Sequence, residues 1–289
     1  TSSHEKSEDI NQGSDSAMKK AVAIGATLTT ILFAGCSASG EDEKTIKLGV
    51  SGSDTQVWDY VAKKAEKEGI KIELVKFSDY VQPNMALAEG EIDANAFQTI
   101  SYFNAFKKEH KLKLSPIATT VIAPMGIYSD KYKDVKDIPT GGKIAVPNEA
   151  TNMGRALLLL QEAGLIKLPD DFDGNGSVDK IVENPKKLKI VPIVAGQTPR
   201  VLPDVAASII NNGIAVDAGL NPIKDSIVHE NETAKPYINI IATRTEDKNK
   251  KELKKIASLY QQKDVAAFIK KEYKGSSIPT FVPLSDIGE

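Results

Sequence analysis

The sequence predicts an α/β protein built in two lobes. In the first part of the body, β-rich runs alternate with amphipathic helical runs across short links, the pattern of a largely parallel sheet covered by helices. Two longer β-rich runs, 117–128 and 237–243, are similar in character and stand far apart in the chain. We interpret them as the segments by which the chain crosses into a second lobe and returns.

Length and composition limit the function classes. A chain of 289 residues can form one large domain or two lobes, and its net charge of −2 offers no basic field for nucleic acid. A single cysteine excludes a disulfide framework, and three scattered histidines argue against a histidine metal site. We therefore expect no nucleic-acid partner, no metal and no cofactor.

The amino-terminal region predicts export. Residues 1–17 are polar and are expected to be a disordered extension. Residues 18–35 have the form of a signal peptide, because two lysines after Met18 precede an apolar run that is too short to span a bilayer.

Small residues stand directly before the lone Cys36, which resembles a bacterial lipobox with a lipidated cysteine. The alternatives are a plain secretory signal or a buried helix with a free thiol. Residues 36–44 are polar and charged and would form a tether from the lipid to the folded body.

The first lobe begins with a strand at 45–50, a helix after Ser53 and a second strand at 70–77. A further helix starts near Asp79. Residues 91–97 then alternate polar and apolar side chains, as a half-buried strand does.

Polar and aromatic residues follow that strand at once, namely Gln98, Thr99 and Tyr102. In an open α/β sheet, the carboxyl end of a strand borders the crevice where ligands bind. The alternative is an ordinary strand-to-helix connection with a packed Phe97.

The second lobe contains a strand at 143–146 and a leucine-rich helix that ends at Gly164. Thr151 or Asn152 can cap this helix, whose free N–H groups favour an anion such as a carboxylate. Arg155, about one turn later, can add a bidentate contact to the same carboxylate. The alternative is a capped surface helix whose arginine makes a salt bridge.

Residues 171–179 partly match a calcium-binding loop. Asp171, Asp173 and Asn175 fit its first half, but the twelfth position is Val182 and the glutamate comes one residue late. We favour a turn-rich surface loop over a calcium site.

The chain continues with a strand at 188–194 and an apolar run at 206–210 that leads into Asn211. Amphipathic helices at 253–260 and 265–273 close it.

Several stretches together form a recognisable combination: DYVQPN at 79–84, IDANAFQ at 92–98, AVPN at 145–148, TN and GR within 151–155, the leucine run 157–160, VENP at 182–185 and INN at 210–212. With them the chain resembles the methionine-binding lipoproteins that serve bacterial ABC importers. The resemblance implies a type II-like, two-lobed periplasmic binding protein fold with two crossing strands and the ligand in the cleft. Lobe 1 would comprise residues 45–122 and 242–289, and lobe 2 residues 123–241.

The resemblance also implies the site. We expect these ligand-binding residues: Tyr80, Phe97, Thr99, Tyr102, Asn148, Asn152, Arg155 and Asn211. The three aromatic rings would hold a thioether, which suits a soft and polarizable sulfur. The arginine would hold the ligand carboxylate, and Asn152 and Asn211 would bond the amino-acid backbone. Thr99 departs from the histidine that many family members carry there, which leaves extra room for either enantiomer or a longer ligand.

The expected function is a substrate-binding lipoprotein that carries L- or D-methionine to an ABC permease and its ATPase. It would be a monomer anchored by lipid to the outer face of the cytoplasmic membrane. The alternatives are a receptor for a methionine-containing dipeptide or another small amino acid, and a surface adhesin. We expect no enzymatic activity, because the sequence offers no Ser-His-Asp spacing, glycine-rich phosphate loop or metal-ligand cluster.

Overall fold

A computed structural model describes residues 43–230 and 235–289. The predicted extension, the signal peptide, the lipidated Cys36 and most of the 36–44 tether lie outside the described residues. Within the described ranges, none of the helices has both the length and the apolar character that a membrane crossing requires.

The described residues form eleven strands. Their bounds are β1 Lys44–Ser51, β2 Ile70–Phe77, β3 Ala94–Thr99, β4 Leu114–Ile122, β5 Gly126–Tyr128, β6 Lys143–Pro147, β7 Lys189–Ile193, β8 Ala207–Ile210, β9 Val228–His229, β10 Ile238–Arg244 and β11 Ile278–Pro279. The same part of the chain forms the helices α1 Gln56–Glu66, α2 Gln82–Glu89, α3 Ile100–His110, α4 Ala150–Glu162, α5 Asn212–Asp217, α6 Pro222–Asp225, α7 Lys251–Tyr260 and α8 Lys263–Tyr273.

The strands make two sheets, which confirms the predicted two-part α/β architecture. The first has the order β11-β4-β10-β3-β1-β2 and the second the order β7-β6-β8-β5-β9. Pairing is parallel among β2, β1 and β3 and among β7, β6 and β8, as the alternating pattern predicts. The prediction of a largely parallel sheet is wrong for the remaining pairs, which are antiparallel. Two of them, β4 with β10 and β5 with β9, join outgoing and returning segments that run in opposite directions.

Each sheet has its own core. In the first sheet, α1, α7 and α8 supply one buried cluster, which includes Trp58, Ile256 and Ile269, while α2 and α3 supply another around Leu87 and Phe103. The second sheet packs against α4, whose leucines are buried together with the strand residues. Two separate cores leave the space between the sheets free for a ligand.

The chain passes between the sheets twice. The 117–128 run breaks after β4 and resumes as β5, with Pro124 in the gap, so the outward crossing is short. The return takes place before Ile238, because the whole of β10 belongs to the first sheet. The predicted lobe boundaries of 45–122 with 242–289, and 123–241, stay a proposal, with β10 better counted entirely with lobe 1.

Candidate functional site

A cavity of about 200 Å³ lies between the two sheets. The first lobe contributes the carboxyl ends of β1 and β3, and the second contributes the start of α4 and the end of β8. Seven of the eight ligand-binding residues expected from the sequence line it, namely Tyr80, Phe97, Thr99, Tyr102, Asn152, Arg155 and Asn211. The structure therefore brings together residues that are up to 131 positions apart in the chain.

Three aromatic rings form one wall. The ring centroids of Tyr80 and Phe97 lie 6.0 Å apart, those of Phe97 and Tyr102 6.0 Å, and those of Tyr80 and Tyr102 6.2 Å. The Tyr102 hydroxyl donates a hydrogen bond of 2.6 Å to the backbone oxygen of Tyr80. Burial raises the pKa of both phenols, so they stay neutral at physiological pH. The wall is an uncharged, polarizable surface suited to an apolar or sulfur-containing chain.

A buried amide network fixes the segments that carry these rings. Asn95 and Gln98 on β3 both donate to Asn84 Oδ1 on α2, at 2.9 and 2.8 Å, and the Asn84 amide donates back to Gln98 Oε1 at 2.7 Å. All three side chains are buried, so their amides need these partners. The network holds the start of α2, just after Tyr80, against the end of β3, where Phe97 lies.

Arg155 is buried and held from several sides. Its Nε donates to both carboxylate oxygens of Glu230, at 3.0 and 2.9 Å, and its Nη2 donates to Glu230 Oε1 at 2.6 Å. Nη2 also donates to the backbone oxygen of Ala123 at 3.0 Å, and the Tyr237 ring lies 4.4 Å from the guanidinium carbon. Arg155 lines the cavity, and its Nη1 has no hydrogen-bond partner among the described residues, so this nitrogen is available to a ligand.

Two asparagines stand beside this arginine. Asn211 Nδ2 donates to Asn152 Oδ1 at 3.2 Å, and Asn211 Oδ1 is buried with no hydrogen-bond partner among the described residues. A buried acceptor without a partner is costly, and a donor from a ligand would satisfy it. This oxygen is suited to an ammonium group.

The expected cap of α4 is wrong. The helix begins at Ala150 and its N-cap is Glu149, while Thr151 and Asn152 lie inside the first turn. Burial raises the pKa of the Glu149 carboxyl, and its Oε2 is buried without a partner among the described residues. Arg155, rather than a capped helix terminus, is the feature that can receive an anion.

One further expectation is wrong, and one expected residue has an additional role. Asn148 is exposed and does not line the cavity, because it sits in the loop before the Glu149 cap. Thr99 lines the cavity, but its hydroxyl oxygen accepts the backbone N–H of Tyr102 at 3.1 Å and so caps α3. The threonine therefore starts the helix that carries Tyr102 besides leaving room in the cavity.

Sequence reasoning missed several polar lining residues, among them Asp54, Asn212, Asp217 and Asn239. Asn239 donates to the backbone oxygen of Val121 at 3.2 Å and interrupts the apolar first part of β10. That interruption is a signal that the sequence did contain.

Two contacts join the lobes at the cavity. The Asp217 carboxylate accepts the Ser53 hydroxyl at 2.6 Å and the Ser53 backbone N–H at 3.1 Å. Asn212 Nδ2 donates to the backbone oxygen of Ser276. The lobes therefore touch across the cleft, as in a closed binding protein.

The 171–179 loop packs on the helix that carries Arg155. A Cβ on Gly154 would lie 1.9 Å from the Gly174 backbone oxygen, so the loop and α4 are in closest contact where the helix has no side chain. Across residues 43–230 and 235–289, no group of three or more histidine, cysteine or acidic side chains is placed to hold a metal ion.

Comparisons with known proteins agree with this geometry. A model of the NlpA lipoprotein family matches residues 46–281. The D-methionine-binding lipoprotein MetQ of Escherichia coli K12 is 41% identical over 264 residues, which cover 90% of this chain and 97% of that protein.

Two solved structures are similar as well. A nutrient binding protein from Burkholderia cenocepacia bound to methionine is 47% identical, with a TM-score of 0.79 over 82% of this chain and 100% of that one. The substrate binding protein of a methionine transporter from Streptococcus pneumoniae is 40% identical, with a TM-score of 0.77 over 82% and 95%.

Proposed function

Since this chain belongs to the NlpA lipoprotein family, we propose that it binds methionine between its lobes and delivers it to an ABC permease. Its relatives are methionine-binding lipoproteins and the substrate-binding part of a methionine transporter. The observation that carries the proposal is the convergence of Arg155, two asparagines and three aromatic rings on one interlobe cavity.

We propose the following pose for the ligand. The carboxylate bonds Arg155 through Nη1, which has no other partner among the described residues. The ammonium donates to Asn211 Oδ1, which is buried and otherwise unsatisfied. The thioether chain then lies against Tyr80, Phe97 and Tyr102.

The role we propose is binding without catalysis. The family is one of substrate-binding proteins, and the groups that line the cavity bind or orient a zwitterion. Closure of the lobes around the ligand would present a joint surface to the permease, a hinge-type change. The Ser53–Asp217 contact supports a closed form of this kind.

The setting we propose is extracytoplasmic. Homologues are lipoproteins, which supports an anchor at Cys36 on the outer face of the cytoplasmic membrane. We further propose that the protein acts as a monomer and that its partners are the permease and its ATPase.

A methionine-containing dipeptide is the second candidate. The small Thr99 leaves room, and the cavity extends beyond the rings toward Asp54 and Tyr273, whose hydroxyl donates to Asp54 Oδ1 at 3.0 Å. An acidic group at that distal end could receive an N-terminal ammonium.

Calorimetry on ligand-stripped protein tests the function. L-methionine, D-methionine and Gly-Met are titrated separately, and we expect saturable heat with at least one of them. The preferred ligand identifies the enantiomer or the peptide form. Absence of heat with all three ligands would overturn the methionine proposal.

A variant pair tests the role of Arg155. Arg155→Lys keeps a cation opposite Glu230 but loses the planar fork, so the Kd should rise at least tenfold, about 1.4 kcal/mol. Arg200→Lys is the matched control, because Arg200 is an exposed arginine of the same lobe. Equal affinities of the two variants would reject the carboxylate role of Arg155.

A further inference from the structure

The counter-ion of Arg155 is fixed in place by the first crossing segment. Glu230 Oε1 accepts the Met125 backbone N–H at 2.6 Å, and the Glu230 backbone N–H donates to the Met125 oxygen at 2.9 Å. The Glu230 side chain is only 13% exposed, and it faces the 5% exposed side chain of Arg155. These contacts hold the carboxylate against the guanidinium of Arg155.

The ion pair changes what the cavity offers to a ligand. Arg155 alone would make a cationic site that attracts any carboxylate. The Glu230 carboxylate accepts hydrogen bonds from two of the three guanidinium nitrogens, Nε and Nη2, and balances the positive charge of Arg155. The third nitrogen, Nη1, can still donate a hydrogen bond to a ligand. Asp54 and Asp217, which also line the cavity, add negative charge.

We infer that Glu230 is a specificity-determining residue, which makes the cavity select a ligand with a free ammonium group over a monoanionic analogue of the same shape. A zwitterion offers its carboxylate to Arg155 and carries its own compensating positive charge, which the proposed pose places at Asn211 Oδ1. A ligand without the ammonium brings only a second negative charge to a site already balanced. This inference rests on the proposed function, because it concerns the same ligand and the same cavity.

Two ligands of nearly equal shape provide the test. One is the methionine enantiomer that binds, and the other is 4-(methylsulfanyl)butanoate, which lacks only the amino group. Calorimetry gives the ratio of the two Kd values, butanoate over methionine. Glu230→Gln retains an oxygen for Met125 and Arg155 while removing the charge, and we expect it to lower this ratio at least tenfold.

Controls separate charge from structural damage. Damage to the site weakens both ligands and leaves the ratio unchanged, whereas loss of the charge favours the butanoate relative to methionine and lowers the ratio. Glu230→Asp retains the charge and should keep the ratio of the unmodified protein. Glu183→Gln removes an exposed carboxylate from the same lobe and should also keep it. If thermal melting shows that Glu230→Gln is unfolded, Glu230→Met takes its place in the test, because methionine is neutral and has a side chain of similar length.

The outcomes separate the two proposals. If the unmodified protein binds neither enantiomer of methionine nor Gly-Met, the proposed function fails. If it binds methionine and the folded neutral variant keeps the same ratio within twofold, only the role of Glu230 is overturned.

Discussion

The substitution Gly154→Ala probes how the 171–179 loop supports the binding helix. The added Cβ would lie 1.9 Å from the Gly174 oxygen, 2.5 Å from its carbonyl carbon and 3.1 Å from the Asn175 nitrogen. These are backbone atoms, so no side-chain rotation can relieve the contact. The loop and α4 must separate by roughly 1 Å or more, because ordinary non-bonded carbon contacts begin near 3.5 Å.

Two opposing effects set the magnitude. Alanine is favoured over glycine in a helix interior by about 1 kcal/mol, and forcing an extra methyl into a packed contact costs about 1–3 kcal/mol. Because backbone atoms oppose the methyl, the packing cost should lie in the upper part of its range. We expect a net loss of about 1–2 kcal/mol of unfolding free energy. Displacement of the adjacent Arg155 should also weaken ligand binding.

Thermal melting and calorimetry, each compared with Gly196→Ala, check this prediction. A Cβ at Gly196 meets nothing within 4 Å, and its φ is not in the left-handed region, so that variant should change stability by less than about 0.5 kcal/mol. A Gly154→Ala protein as stable as Gly196→Ala, with unchanged affinity, would refute the close packing of the loop on α4.

Three further predictions concern the site. Tyr102→Phe removes the 2.6 Å hydrogen bond to the Tyr80 backbone. Denaturant titration should show a loss of about 1 kcal/mol of unfolding free energy, and ligand affinity should fall several-fold. Unchanged stability and affinity would contradict the anchoring role of this hydrogen bond. Asp217→Asn weakens the interlobe contact with Ser53, so small-angle scattering of the ligand-free variant should show a larger radius of gyration. An unchanged radius would contradict the role of this contact in holding the lobes together. Glu149→Gln should stabilise the ligand-free protein at pH 7, because burial raises the pKa of this carboxyl and its charged form costs free energy. The gain in stability of the variant over the unmodified protein should shrink as the pH falls from the raised pKa of Glu149 in the folded protein to its pKa in the unfolded chain, because the native glutamate takes up a proton in that range. A stability difference that does not change with pH would contradict this prediction.

Local rules point to Phe97 and Tyr102, whereas Tyr80 came only from the family resemblance. Strand alternation ends β3 at Thr99, and helix α3 starts at once, so Phe97 and Tyr102 fall on opposite sides of one strand-to-helix junction. The carboxyl end of a strand in an α/β sheet is where ligands bind, so this part of the site could be placed without coordinates.

Other parts of the site depend on tertiary contacts. Glu230 follows a two-residue strand and meets Arg155 only because that strand, β9, pairs with β5 of the outward segment. Asn148 was misplaced because the direction of a loop side chain is not set by the sequence pattern, and here the residue faces solvent. Asn239 becomes a lining residue only through the pairing of β10 with β3.

A crystal structure of the protein with methionine bound tests the central claim most directly. We predict a ligand carboxylate oxygen within hydrogen-bond distance of Arg155 Nη1, with the Glu230 pair intact, and the sulfur against the rings of Tyr80, Phe97 and Tyr102. Methionine found outside the interlobe cavity, or inside it with the carboxylate directed away from Arg155, would contradict the account.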